Sequence, residues 1–178
     1  MDMGLLAAAV TAVLIVAVGL YIRSFRRRLV GLRNETDRTW VTLDSYLRER
    51  NNQLPKLVET CRSYVGSGEK TLQAVLHARA DFGNAETVEG KADADRILRE
   101  AIDALVRVAE AVPGLQSNSN FQTVREQLED LGENIEQSRG AYNFLAAAFN
   151  HQLAGRLGRS YGRRLNCRPR QLFGPSDS

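Results

Sequence analysis

The 178-residue chain contains only two cysteines, two histidines and four prolines, and aromatic residues make up 7% of it. The shortage of cysteine excludes a disulfide scaffold, and the shortage of proline excludes a collagen-like chain. Few aromatic residues and no sustained polar-apolar alternation disfavour an all-β domain. The abundance of alanine, leucine, glutamate and arginine instead favours an all-α protein.

The motifs of common catalytic and ligand-binding sites are also missing. His77 and His151 are the only histidines, and neither belongs to a Glu-x-x-His or His-Glu-x-x-His metal motif. Cys61 and Cys167 stand 106 positions apart, without the spacing of metal ligands. Residues 66–68 are too short for a glycine-rich phosphate loop. We therefore expect a non-enzymatic protein with no catalytic residues, no metal ion, no cofactor and no small-molecule substrate.

Charge is unevenly distributed, although the formal net charge is only +3. Residues 23–33 hold five arginines and no acid, residues 154–178 hold six arginines and one acid, and residues 34–153 carry a net charge of −6. Few aromatic residues lie between the arginines of the tail, so we expect no nucleic-acid partner. The candidates for contact with anionic lipid headgroups are Arg23, Arg26, Arg27, Arg28, Arg33, Arg156, Arg159, Arg163, Arg164, Arg168 and Arg170.

Residues 4–22 form an uncharged run of 19 residues. As a helix this run is about 28 Å long, close to the hydrocarbon thickness of a bilayer. A signal peptide would instead need positive charge before the run and a small-residue cleavage site after it. We predict an uncleaved transmembrane helix followed by a basic juxtamembrane segment, residues 23–33. The positive-inside rule places residues 1–3 outside and the bulk of the chain in the cytoplasm.

Apolar residues at spacings of three and four predict four amphipathic helices within residues 34–153. The four stripes run through residues 40–65, 72–82, 94–112 and 121–149. Ser119 to Gln122 matches a capping box at the start of the fourth helix. Short turns rich in Gly, Pro, Asn and Ser favour an up-and-down antiparallel four-helix bundle after the transmembrane helix.

Three arginines, Arg50, Arg79 and Arg139, fall within or beside these stripes, so their charges point toward neighbouring helices. An unpaired buried arginine costs several kcal/mol. The candidates for pairing are Glu49, Glu133, Glu136 and helix-end carbonyls. Two interpretations stay open: an internal polar layer that sets helix register, and a groove that accepts an acidic segment of a partner.

Other polar features of the stripes are Pro55, Asn143 and Asn150. Pro55 removes one backbone hydrogen bond, and the unbroken apolar phase around it favours a kinked helix. Asn143 and Asn150 fit either interpretation of the three arginines. The pairs Asp95–Arg99 and Arg125–Glu129, in contrast, have the i, i+4 spacing of a solvated helix face.

Four antiparallel helices return the chain to the end of the bundle where it entered. The basic tail, residues 154–178, then begins near the membrane, beside the juxtamembrane arginines. Each arginine near an anionic leaflet contributes about 1 kcal/mol to binding. The alternative is a solvated, frayed tail, and we expect the tail to be flexible.

Taken together, an ordered set of residues resembles the LemA family. The set comprises Trp40, Arg50 to Thr60, Ala78-Arg79-Ala80, Glu110 to Leu115, Asn120-Phe121, Glu133-Asn134-Ile135, Arg139, Tyr142-Asn143 and Phe149-Asn150. The resemblance implies one span and a cytoplasmic helical bundle in a bacterial inner or internal organelle membrane, without catalytic residues. Val112 stands where the family usually has tyrosine before proline, and His151 begins a segment without the usual Phe-Pro pair.

These observations favour a membrane-anchored adaptor or scaffold that binds a protein partner, rather than an enzyme. The alternative is a self-associating protein that organises a membrane through its basic segments, including magnetosome-type organelles. Family resemblance implies both, because some members accompany membrane metalloproteases or other envelope proteins and others belong to the magnetosome membrane. The structural or partner-binding candidates are Trp40, Arg50, Pro55, Arg79, Arg139, Tyr142, Asn143 and Asn150.

Overall fold

A computed structural model describes residues 3–65 and 69–174, and helices make up nearly all of them. The elements are α1 (Met3–Val65), α2 (Lys70–Asn84), α3 (Val88–Glu110), α4 (Pro113–Gln116), α5 (Ser119–Ala154) and α6 (Arg156–Arg164). No strand occurs in these two stretches, so the predicted all-α class is confirmed. Outside them lie the first two residues of the predicted external terminus, Gly66-Ser67-Gly68 and residues 175–178 of the tail.

Helix α1 joins two segments that the sequence suggested as separate units, the apolar span and the first amphipathic helix. Residues 23–39 contain no proline and one glycine, so no residue in this stretch ends the helix. The resulting helix has 63 residues, about 94 Å at 1.5 Å per residue. It also continues for ten residues beyond Pro55, so the chain does not restart a helix there.

The apolar part of α1 stands apart from the rest of the protein. Its large side chains from residue 10 to residue 21 are exposed, and Ile15 is 73% exposed. By length and composition, this is the one described helix that is long and apolar enough to cross a membrane. Length and composition are therefore consistent with the predicted anchor.

The starts of the shorter helices are set by side-chain caps. Thr87 accepts a hydrogen bond from the Gly90 N–H (3.0 Å) at the start of α3. Three residues, 85–87, therefore connect α2 to α3. Asn118 accepts one from the Phe121 N–H (3.1 Å) at the start of α5. The cap of α5 is thus one residue earlier than the predicted Ser119, because the Asn118 side chain takes that role.

The helical domain is built around the second half of α1. Helix α5 runs back along α1, since Asn118 hydrogen-bonds Tyr64 at one end (3.1 Å) and Leu153 packs with Leu29 at the other. Helices α2 and α3 pack against each other and against α1. The fully buried leucines of α1, which form the centre of the core, are Leu43, Leu47, Leu54 and Leu57.

The end of the chain differs from the flexible tail that its composition suggests. Residues 156–164 form α6, and residues 167–174, here called the C-terminal strap, lie against α1 and α5. Asn166 adopts a left-handed φ of 49°, and the N–H of Cys167 bonds the Gly162 carbonyl (2.8 Å). This pattern is the Schellman ending of a helix, and it turns the chain from α6 into the strap.

Candidate functional site

Helix α6 brings the two basic segments of the sequence together. The rings of Phe25 and Tyr161 lie 6.4 Å apart, and Leu165 packs on the small cluster formed by Leu29, Phe149 and Leu153. Two of the eleven predicted lipid-contact arginines, Arg33 and Arg170, are half-buried. The exposed ones are Arg23, Arg26, Arg27, Arg28, Arg156, Arg159, Arg163, Arg164 and Arg168.

Arg33 and Arg170 share one carboxylate. Arg33 Nε lies 3.9 Å from Asp37 Oδ2, and Arg170 forms an ion pair with Asp37 Oδ1. The pair joins the strap to α1 across 133 positions of sequence. These two arginines therefore have a role within the protein that the sequence analysis did not assign to them.

An aromatic cluster lies where the strap crosses α1 and α5. The Trp40 ring is 5.3 Å from Tyr142 and 6.0 Å from Phe173, and Phe173 is only 2% exposed. Lys91 Nζ lies 5.8 Å from the centre of the Trp40 ring, within cation–π range. Burial raises the pKa of Tyr142, and its hydroxyl donates a hydrogen bond to the Gln171 carbonyl (2.7 Å).

Asn143 and Asn150 bind the backbone of the strap. Asn150 donates to the Arg170 carbonyl (2.8 Å) and accepts from the Arg170 N–H (2.7 Å). Asn143 makes the same pair of bonds with Phe173, at 3.0 and 2.8 Å. The two asparagines thus hold an extended segment rather than lining a polar layer between helices.

Arg50 is buried and forms an ion pair with Asp95, with side chains only 5% and 2% exposed. Asp95 also pairs with Arg99 (3.4 Å), which pairs with Glu136 across to α5 (3.3 Å). Glu136 in turn pairs with Arg139 at 2.7 Å, so this arginine pairs within α5 rather than with a neighbouring helix. Arg50 and Arg139 are therefore the two ends of one chain of alternating charges that links α1, α3 and α5.

Asp95 was placed on the solvated face by the sequence analysis, and this placement is wrong. Its spacing to Arg99 is that of a surface pair, but Asp95 is 1% exposed. The signal that could have found it is its distance to Leu98 and Ile102, three and seven residues later on the apolar stripe. Ile97, an apolar residue within the range of the same stripe, is in contrast 45% exposed.

Arg79 replaces the backbone hydrogen bond that Pro55 removes from α1. Proline has no N–H to donate to the carbonyl four residues earlier, which here is that of Asn51. Arg79 Nε donates to this carbonyl over 3.2 Å. Two candidates that the sequence analysis treated separately thus act on the same backbone oxygen.

Asp44 is a further charged residue at the interface of α1 and α3 that the sequence did not single out. It forms ion pairs with Lys91 and, over 2.7 Å, with Arg48. Burial by itself would raise the pKa of this carboxyl, but the hydrogen bonds from Lys91 and Arg48 outweigh burial and lower the pKa below 3.8. In Cys61, on the same helix, burial alone raises the thiol pKa to about 11.

An open groove of about 370 Å³ separates α3 from α5. Its floor includes the apolar residues Ile102, Val106 and Leu128, and four of its ten lining residues are arginines against two carboxylates. Ion pairs of Arg99 with Glu136 and of Arg125 with Glu110 cross between the two helices. Of the three arginines that the sequence singled out, Arg50 is among the residues that line this groove, and Arg79 and Arg139 are not.

Comparison with known proteins identifies the family of this chain. The family model of the LemA family matches residues 39–178. None of the curated proteins compared with the chain matches it. The matched range begins at the part of α1 that enters the helical domain and includes the strap with its asparagine contacts. The chain belongs to the LemA family.

Proposed function

We propose that this protein is a non-enzymatic, membrane-anchored adaptor that holds a protein partner at the cytoplasmic face of a bacterial inner or internal organelle membrane. The observation that carries the proposal is α1, in which the exposed apolar stretch continues without a break into the packed helical domain. A continuous helix fixes the distance between membrane and domain, as an adaptor requires. The arginines that follow the apolar stretch support a cytoplasmic domain.

The proposal includes an up-and-down four-helix bundle formed by α1, α2, α3 and α5. Its support is the position of each helix end. Helix α2 returns toward the middle of α1, where Arg79 reaches Asn51, and α3 then runs forward again from Asp44 toward Tyr64. Helix α5 returns along α1 to Leu29. In this arrangement the groove between α3 and α5 is open along one side of the bundle.

The partner of this groove is an acidic segment with apolar residues. Arg50, Arg99 and Arg125 already pair with carboxylates of this chain, but Arg107 is exposed and forms no ion pair with any described residue. Charge complementarity therefore favours a carboxylate of the partner beside Arg107, with apolar side chains on the floor below it. Such an interface tolerates salt better than contact with lipid headgroups alone.

The test is cross-linking in intact membranes, with a photo-reactive residue introduced at Val106 in the groove. We expect one foreign protein to be captured reproducibly and Arg107→Glu to reduce its capture at least ten-fold. Arg62→Glu, an equal charge reversal at an exposed site on α1, serves as the control and should leave capture unchanged. Equal capture by wild type and by Arg107→Glu would exclude the groove as the partner site.

A second candidate function, organisation of the membrane through anionic lipid, is favoured by the position of α6. Its contact with Phe25 brings the exposed arginines of the tail beside those of the juxtamembrane segment. The test is the amount of anionic lipid that the detergent-solubilised chain retains at low and at high salt. Loss of anionic but not zwitterionic lipid at high salt is the expected result. Equal retention of the two lipid classes at low salt would contradict this candidate.

A further inference from the structure

The surface that holds the strap has the properties of a peptide-binding site. Asn143 and Asn150 are seven residues apart on α5, a rise of about 10.5 Å. The strap residues that they bind, Arg170 and Phe173, are three residues apart, about 10 Å in an extended chain. Because the two spacings agree, each asparagine makes both of its hydrogen bonds with one residue of the strap.

Backbone and side-chain contacts of the strap have different roles. The asparagines bind the peptide backbone, so they would accept any extended segment. Selectivity comes from Phe173, which is buried against Trp40, and from Arg170, which pairs with Asp37. The site thus fits an extended segment with an arginine three residues before a phenylalanine. Every copy of this chain carries such a segment in its own strap.

The connection to the strap is built in a way that permits exchange. A single residue, Gly155, separates α5 from α6. The start of α6 lies very close to the end of α5, since a Cβ on Gly158 would lie 2.0 Å from the Gln152 carbonyl oxygen. At this turn the last carbonyls of α5 lack helical N–H partners, and a straight helix through Gly155 would supply them. Short, tight hinges of this kind favour exchange of the segment that follows them.

We propose that residues 156–174 exchange between two copies of the chain, so that the strap of one copy binds Asn143 and Asn150 of the other. Exchange keeps every strap contact and changes only the path at Gly155, which makes it a low-cost route to a dimer. The proposal rests on the proposed anchor in one respect: two copies in one membrane are held at high effective concentration. Exchange of residues 156–174 gives self-association a defined interface.

The test uses the full-length chain with Cys167→Ser, in which the remaining native thiol, Cys61, is buried. Glu89→Cys and Gln171→Cys replace an exposed pair of side chains that are 3.3 Å apart and do not carry the docking. The two single variants, with different tags, are mixed in detergent and reconstituted together in phosphatidylcholine vesicles. A short bis-maleimide then joins the two thiols wherever a strap is docked.

The expected result is a cross-linked heterodimer of the two tagged chains. Arg62→Cys mixed with Gln171→Cys measures random collision, because Arg62 lies near the far end of α1, and should give at least five-fold less product. Gly155→Ala favours the straight helix and should raise the heterodimer about five-fold. Asn143→Ala with Asn150→Ala should reduce the heterodimer.

A chain that carries both Glu89→Cys and Gln171→Cys shows whether the strap is docked at all. Efficient internal cross-linking of this chain, with no heterodimer above the collision control, would overturn the exchange. No cross-linking in either sample would overturn the docked strap itself. Failure of the anchor is seen separately, as release of the chain from vesicles by alkaline carbonate, and the same cross-linking in detergent micelles then still reports exchange.

Discussion

The two ends of the helical domain are stabilised by different kinds of contact. At the end far from the apolar stretch, α1, α2, α3 and the start of α5 enclose a continuous apolar core, and its leucines on α1 are fully buried. At the near end, three buried residues form the separate cluster, Phe173 of the strap adds to the edge of the main core, and hydrogen bonds from Asn143 and Asn150 hold the strap backbone. Apolar burial thus accounts for the far end, and specific polar contacts account for much of the near end.

This difference has a consequence for motion. Segments with few buried apolar contacts open locally at a lower free energy than a continuous core. We therefore expect α6 and the strap to open without unfolding of the core. The near end is also where the two basic segments meet, so the part of the domain that opens most easily lies beside the proposed membrane surface.

The largest effect is expected from the buried ion pair between α1 and α3. Asp95→Ala leaves the Arg50 guanidinium buried without its main partner, which should lower the free energy of unfolding by about 3–5 kcal/mol. Arg50→Leu combined with Asp95→Leu removes both charges and should restore most of this loss. Urea unfolding followed by helical circular dichroism measures both. Asp93→Ala, at an exposed position on the same helix, is the control, and an equal cost at both aspartates would contradict the prediction.

A smaller and local effect is expected at the near end from Gly158→Ala. The added Cβ would meet the backbone of α5, so α6 must shift, at a cost of about 1–3 kcal/mol. Hydrogen exchange in residues 156–174 should accelerate while the core stays protected. Gly140→Ala adds the same methyl group in open space on α5 and should stabilise the helix by about 0.5–1 kcal/mol. Unchanged exchange in α6 would show that the helix is not closely packed there.

Much of the fold follows from local sequence patterns, but the contacts of the strap do not. The apolar spacing of three and four located the helices because it depends only on the period of the α-helix. Arg170 and Asp37 are 133 positions apart, and only the folded chain brings them together. Composition suggested a flexible tail, because arginines are usually solvated. The binding role of Asn143 and Asn150 depends on a partner segment that no local pattern identifies.

Among the charged groups, the i, i+4 rule succeeded for Arg125 with Glu129 and failed for Asp95. Arg125 pairs with Glu129 four residues later over 3.1 Å, and the Glu129 side chain is 63% exposed. Asp95 also pairs within its helix, with Arg99, but its second partner Arg50 comes from α1 and keeps it buried. Charge spacing along one helix therefore predicts the pair but does not predict whether it faces solvent or a neighbouring helix.

A further prediction concerns the backbone carbonyl that Pro55 leaves without a helical partner. Arg79→Leu removes the guanidinium that binds the Asn51 carbonyl and should cost about 1 kcal/mol. In a Pro55→Ala background the residue at 55 supplies an N–H, so Arg79→Leu should cost measurably less. Thermal unfolding of the two single variants and the double variant gives this coupling. If Arg79→Leu unfolds at the wild-type temperature, the polar role of Arg79 is excluded.

The smallest effect is expected from Asp44, and it appears only in acid. Hydrogen bonds from Lys91 and Arg48 lower the pKa of Asp44 in the folded protein below its ordinary value of 3.8 despite the opposing effect of burial. The charged carboxylate therefore stabilises the folded state above about pH 4, and this contribution is lost as pH falls through the lowered pKa. Asp44→Asn should be less stable than wild type near neutral pH.

The difference between Asp44→Asn and wild type should narrow on acidification, since protonation removes the same charge from the wild-type side chain. Urea midpoints measured at about pH 6, pH 4 and pH 3 test this expectation. Asp130→Asn is the matched control, because Asp130 is exposed and forms no ion pair with any described residue. A constant difference across this range would mean that Asp44 contributes through packing between α1 and α3 rather than through its charge.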